Sequence, residues 1–167
     1  WFPTPIGDVI KPDVERTNTL NIGFRGTNDV ARGTGRDVPL ESLMLTADQN
    51  IIDIDFVVQW RIKNASEFLF NIRDPETTIK LAAESSMREV IGQTSLEDAL
   101  TVKRQTVQQD AKVLLQQILD DYGTGVAVAE IQLLKVDPPK EVIDAFNDVQ
   151  RAKQDQERSV NEATAYK

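Results

Sequence analysis

The stretch Ile51-Ile52-Asp53-Ile54-Asp55-Phe56-Val57-Val58-Gln59-Trp60-Arg61-Ile62-Lys63 decides the fold. Ile52, Ile54, Phe56, Val58, Trp60 and Ile62 alternate with Asp53, Asp55, Val57, Gln59, Arg61 and Lys63. A period of two sends successive side chains to opposite faces of a strand, so one face is predicted buried and the other wet. So long a strand needs partners, and both flanks supply them. Leu43–Thr46 reads as a short strand, and Ala47-Asp48-Gln49-Asn50 as a hairpin turn, because Asp and Asn tolerate turn geometry. Farther upstream, Val14 to Phe24 reads as a strand with Val14, Arg16, Asn18, Leu20, Ile22 and Phe24 on one face. Gly26 to Pro39 is rich in Gly, Asn, Asp and Arg and reads as a flexible loop.

Downstream, the period changes. Asn64 with Glu67 three residues later marks a short helical turn to Phe70. Asp74-Pro75-Glu76 is a helix start: Asp at the N-cap, Pro at the first position, an acid in the first turn. Ile79, Ala82, Ala83, Ser86, Met87, Val90 and Ile91 then share one helical face, and Gly92 ends the helix. Ser95 with Asp98 opens a second helix, predicted to run unbroken to Tyr122 on a stripe of Leu96, Ala99, Leu100, Val107, Ala111, Leu114, Ile118 and Tyr122. Gly123 closes it. Val126 to Val136 is the last strand, and Pro138-Pro139 follow it. From Pro139 onward everything reads as helix. Its seam of Val142, Phe146, Val149, Lys153, Gln156, Val160 and Ala163 steps by fours and threes, as the start of a coiled coil does. A solvated helix face would carry the same mixed charges.

Composition narrows the function classes. The chain has 167 residues, enough for one medium domain with an appendage, and 40% are hydrophobic. Its formal net charge is -8, and no Lys/Arg cluster could displace counterions from phosphates, so nucleic acid is not an expected partner. There are no cysteines and no histidines. Thiolate and imidazole chemistry are therefore excluded. No stretch approaches the roughly 18–20 apolar residues that span a bilayer. Trp1 as first residue suggests an excised fragment, with room for a membrane anchor before it. Trp1, Phe2, Pro3, Pro5 and Ile6 form an extended, aromatic start suited to a membrane interface or to packing on the domain.

No motif carries catalysis. Asp53 and Asp55 are neighbours on one strand face, expected to be ordinary ionised acids on the wet side. Two carboxylates supply too few oxygens for a hard cation. Asp120-Asp121 sits unfavourably at a helix C-terminus. Gly33-Thr34-Gly35 lacks the Lys and the strand–helix context of a phosphate loop. Ser85-Ser86 has no partner base. The expected catalytic, cofactor and metal sites are none.

Leu40 to Asn50 followed by Ile51 to Lys63 resembles the SPFH (band 7) family of stomatins, prohibitins, flotillins and the bacterial HflK/HflC branch, and within it the HflK side. The likeness continues through Phe68–Asn71, Met87–Gly92, Asp121–Gly123, Val136–Val142, Ala145–Val149 and Asn161–Ala163. The Trp1–Ile6 opening resembles the segment after that family's anchor, whereas the Gly26–Pro39 loop departs from it. The resemblance implies an α+β SPFH domain: a twisted, antiparallel-rich sheet with packed helices, then the start of a long coiled-coil helix. It implies a membrane-proximal subdomain at 1–63, a second at 64–138, and the helix at 139–167. It further implies a non-enzymatic scaffold, with a single-pass anchor in the bacterial inner membrane and its domain on the periplasmic face. Its partners would be membrane lipid, an HflC-like paralogue and an FtsH-like AAA+ protease, caged so that access of membrane-protein substrates is limited. The whole protein would be a hetero-oligomer and this piece monomeric or weakly associating. A stomatin-like organiser of lipid microdomains without a protease is the alternative within the family, and a hydrolase the alternative outside it.

Overall fold

A computed structural model describes residues 10–25, 36–100, 103–138 and 143–165. The strand β5 (Ile51–Ile62) lies at the centre of a four-stranded sheet. β1 (Asn18–Ile22) and β4 (Leu43–Leu45) pair antiparallel with one edge of β5 in tandem, at Phe56–Trp60 and Ile51–Asp53. β6 (Val126–Asp137) runs antiparallel along the other edge from Ile62 back to Asp53. Two register shifts, after Asp55 and after Gln59, bend β6. A second, two-stranded sheet joins β2 (Phe24–Arg25) to β3 (Arg36–Asp37).

The expected strand from Val14 to Phe24 is shorter than its alternation suggests. It begins at Asn18, and Val14 is exposed. Gly23 breaks it at φ +94, a left-handed geometry that suits glycine, and β2 turns into the second sheet. Of the Gly26–Pro39 loop, residues 26–35 lie outside the described set. The rest is ordered as β3 and the helical turn α1 (Pro39–Ser42).

The helices form the second layer. α2 (Ala65–Phe70) is capped by the Asn64 side chain, which accepts from the backbone N–H of Ser66 at 3.1 Å. α3 (Pro75–Gly92) is capped by Asp74, and Ile79, Ala82, Ala83, Ser86, Met87 and Ile91 are buried on one face. The second long helix is not continuous. It divides into α4 (Leu96–Leu100) and α5 (Arg104–Asp121). The buried stripe of α5 is Val107, Ala111, Leu115 and Leu119, rotated away from the expected Leu114, Ile118 and Tyr122. Val107 and Ala111 are buried as expected, but beyond them the stripe keeps stepping by four, to Leu115 and Leu119, where a step of three to Leu114 was expected; Tyr122 ends largely exposed. Gly123 at φ +59 closes α5 as read from the sequence. Its N–H donates to Asp120 and that of Thr124 to Leu119, the paired bonds of a Schellman ending.

One core joins both layers. Ile52, Ile54, Phe56, Val58, Trp60 and Ile62 meet the buried faces of α3, α4 and α5 and the inward residues of β6 in a single cluster. The other face of β5 is not wet throughout. Asp55 and Val57 are buried, and Asp55 lies under Gly23, where a side chain on Gly23 would run into Asp55 Oδ1 and come within 3.2 Å of Ser42 Cβ in α1. α6 (Ile143–Ala165) follows β6 as a helix of 23 residues.

Candidate assembly surface

The candidate acid pair resolves into structural bonds. Asp53 Oδ2 accepts from Lys135 Nζ at 2.6 Å, across the β5–β6 ladder. Asp55 lies buried beside Gly23 rather than in an open cleft. Ser86 is fully buried and its Oγ donates to the Ala83 carbonyl at 3.0 Å, while Ser85 is exposed. Asp120 is offset by Gln116 Nε2, which donates to it at 3.0 Å, and by Lys63 at 3.6 Å. Among the described residues no group of three or more acids could hold a metal ion. Gly33–Gly35 lies outside the described residues.

Two polar junctions tie the sheet to the helical layer. In the first, Glu41 on α1 accepts a fork from Arg25 on β2, at 2.8 Å to Oε2 and 2.5 Å to Oε1, and a third bond from Lys80 on α3 at 2.6 Å. The guanidinium fork chiefly, then the ammonium, holds the Glu41 carboxyl down to about 2 despite partial burial. Glu84, one turn beyond Lys80, is pushed up by burial and by the Glu41 charge. In the second, the hairpin turn reaches α4: Asp48 Oδ1 accepts from Thr46 Oγ1 at 2.5 Å and from the Leu96 backbone N–H at 3.1 Å, and Ala47 N–H donates to Thr94 at 3.0 Å. The Thr46 hydroxyl is the main cause holding Asp48 below the usual carboxylate range.

The outer edge of β6 is covered by side chains of α5 instead of a strand. Gln116 donates to the Val126 carbonyl at 3.1 Å and accepts from Val128 N–H at 2.8 Å, while Arg104 donates to the carbonyls of Leu133 and Leu134 at 2.5 and 3.2 Å. These side chains occupy parts of the edge that a further strand would need. Neither residue stood out in the sequence, because side chain-to-edge bonds leave no periodic signal.

Among the described residues α6 makes no extended packing with any other element. Of the expected seam, Phe146, Val149, Lys153, Gln156, Val160 and Ala163 fall on α6, with Gln156 and Ala163 exposed; Val142 lies outside the described residues. Trp1, Phe2, Pro3, Pro5 and Ile6 lie outside them too. Among the described residues no helix is long and apolar enough to cross a membrane.

Comparison with known proteins agrees with this architecture. Protein HflK of Vibrio cholerae serotype O1 is 33% identical over 79% of this chain and 33% of its own length. Protein HflK of Borreliella burgdorferi is 38% identical over 73% of the chain and 40% of its own length. The Escherichia coli K12 protein named Modulator of FtsH protease HflK is 28% identical over 99% of the chain. The chain spans 33%, 40% and 35% of these relatives' lengths, respectively. The sequence profile described as SPFH domain / Band 7 family matches residues 2–167, and with relatives of this identity the chain belongs to that family.

Proposed function

We propose that this chain is the SPFH module of a non-enzymatic scaffold that modulates an FtsH-type AAA+ protease. The observation that carries the reading is the match along 99% of the chain to a protein named as a modulator of that protease. The geometry supports it. The acids that could have formed a site are engaged in ion pairs, caps and packing, and among the described residues the long helix α6 makes no extended packing with another element. A scaffold works by contact and confinement, and needs such a surface more than a cleft.

In this reading α6 begins a coiled coil, and its seam of Val142, Phe146, Val149, Lys153, Gln156, Val160 and Ala163 assembles subunits. An HflC-like paralogue alternates with this chain around the protease and limits the approach of membrane-protein substrates. The Trp1–Ile6 segment and the sheet-bearing residues 1–63 face the lipid of the bacterial inner membrane on its periplasmic side, and 64–138 lie beyond them. The intact protein is isolated from membranes in mild detergent and its companions are identified by mass spectrometry. Recovery of an FtsH-type protease with an HflC-like paralogue in one large particle is the expected result. A large particle of this protein with lipid and no protease overturns the protease reading in favour of a microdomain organiser.

A further inference from the structure

A groove of about 520 Å³ opens between α3, α4 and α5. Val90 and Leu114, half-buried, and Val113, 55% exposed, give it an apolar floor. Glu89 and Asp110 stand exposed on its rim, and neither has an ion pair among the described residues. The lysine on the wall, Lys103, already donates to Asp98 at 2.7 Å, so it does not offset them. Along α5 the wall extends from Lys103 to Gln117, roughly 20 Å at the helical rise, which matches three or four turns of a docked helix. An apolar trough of this length between two helices takes the apolar face of a third, and the acids on its rim select one with cations beside its anchors.

The described helices of this chain do not supply such a partner. Each of α1 to α6 carries more acidic than basic residues, and the formal charge of the whole chain is -8. A second copy would bring like charge to the rim, which weakens docking and slows encounter. A different chain is under no such restriction.

We propose that this groove is the docking face for a cationic amphipathic helix of an unlike subunit, with aliphatic anchors on Val90, Val113 and Leu114 and Lys or Arg side chains toward Glu89 and Asp110. This rests on the reading of the chain as one member of a mixed assembly, and it adds the face by which unlike subunits choose each other. Like-charge repulsion turns copies of this chain away from the groove, so the rim favours alternation over self-association.

Because Val113 is exposed on the floor, a photoreactive benzoylphenylalanine can take its place in the intact protein without disturbing the core. The protein is irradiated in its membrane and purified in mild detergent, and the cross-linked peptide is sequenced by mass spectrometry. The expected product joins a paralogous subunit through a segment with a surplus of Lys and Arg. Glu89→Lys with Asp110→Lys should lower its yield about tenfold, whereas Asp121→Lys, exposed at the far end of α5, should leave it unchanged. A cross-link to a second copy of this chain, to a segment with a surplus of acids, or to the protease would overturn the proposal, as would a yield that Glu89→Lys with Asp110→Lys does not change. Lipid adducts alone, or none, from a particle that still holds a protease and a paralogue would overturn the groove and leave the scaffold reading standing. A paralogue cross-linked in a particle without protease would support the groove and overturn the protease reading. A particle holding neither would overturn both.

Discussion

Asp48 Oδ1, at the tip of the β4–β5 hairpin, accepts a 3.1 Å hydrogen bond from the backbone N–H of Leu96, the first residue of α4. A helix start is thus capped by a side chain from the sheet, 48 positions away. Leu96 and Ala99 are buried, so the cap fixes the seat of a short helix against the core.

Asp48→Ala should cost about 0.5–1 kcal/mol, as loss of an N-cap does at a solvent-accessible site. Asp48→Asn keeps an acceptor and should cost less. Because the folded Asp48 carboxyl lies below its ordinary 3.8, its contribution is present above that value and fades as pH falls through the folded range. Urea midpoints at neutral and acid pH check this: the gap between the Asp48→Asn variant and the parent should narrow below about pH 4.

The Glu41 junction should behave likewise, over a wider window. Its folded value is about 2 against an ordinary 4.5, so its stabilisation is complete above 4.5 and is lost progressively toward pH 2. Glu41→Gln should cost about 2 kcal/mol at neutral pH, between the values typical of exposed and buried pairs. A double-mutant cycle with Lys80→Met should give a coupling of about 1 kcal/mol at pH 7 and almost none at pH 2. Constant coupling across that range would contradict the assignment.

Three glycines should respond to alanine in three ways, read from thermal midpoints. At Gly125, φ is +65 and a new Cβ would collide with the Asn64 carbonyl and stand 2.8 Å from Glu67 Cβ, so a loss above about 2 kcal/mol is expected. At Gly123, φ is +59 but the nearest atom is the amide nitrogen of the Asn71 side chain at 3.3 Å, so the loss should be about 1 kcal/mol. At Gly92, inside the last turn of α3 with nothing within 4 Å, alanine should stabilise by about 0.5 kcal/mol.

Phe56 is fully buried at the centre of β5, flanked by Ile22 on β1 and Leu133 on β6. Phe56→Ala should cost about 3–5 kcal/mol, enough to leave a domain of ordinary stability largely unfolded. Circular dichroism and urea titration read it directly.

Elements whose signal is local were legible. The alternation of Ile52 to Ile62, the Asn64 and Asp74 caps and the Gly123 stop all rest on neighbouring residues, and all hold. Features set by distant residues were not. Asp55 was expected on a wet face because period two describes one strand and cannot reveal that Gly23 and α1 cover it. The α5 stripe steps by four from Ala111 to Leu115 and Leu119 where a step of three to Leu114 was expected, because which of two adjacent apolar residues turns inward is set by the elements packed against the helix. The Asp48 and Glu41 junctions join residues 48 and 39 apart. For the candidate surface, the sequence supplied the spacing of α6, while its standing clear of extended packing among the described residues required the packed structure.

The central claim is that the protein acts by assembling through α6 around a protease. Its most direct test is the size and content of the particle recovered in mild detergent from the intact protein, compared with a Phe146→Asp, Val149→Asp variant. The parent should run as one large particle containing an FtsH-type protease, and the variant should fall to small species that release it. A variant particle of unchanged size and protease content would contradict it.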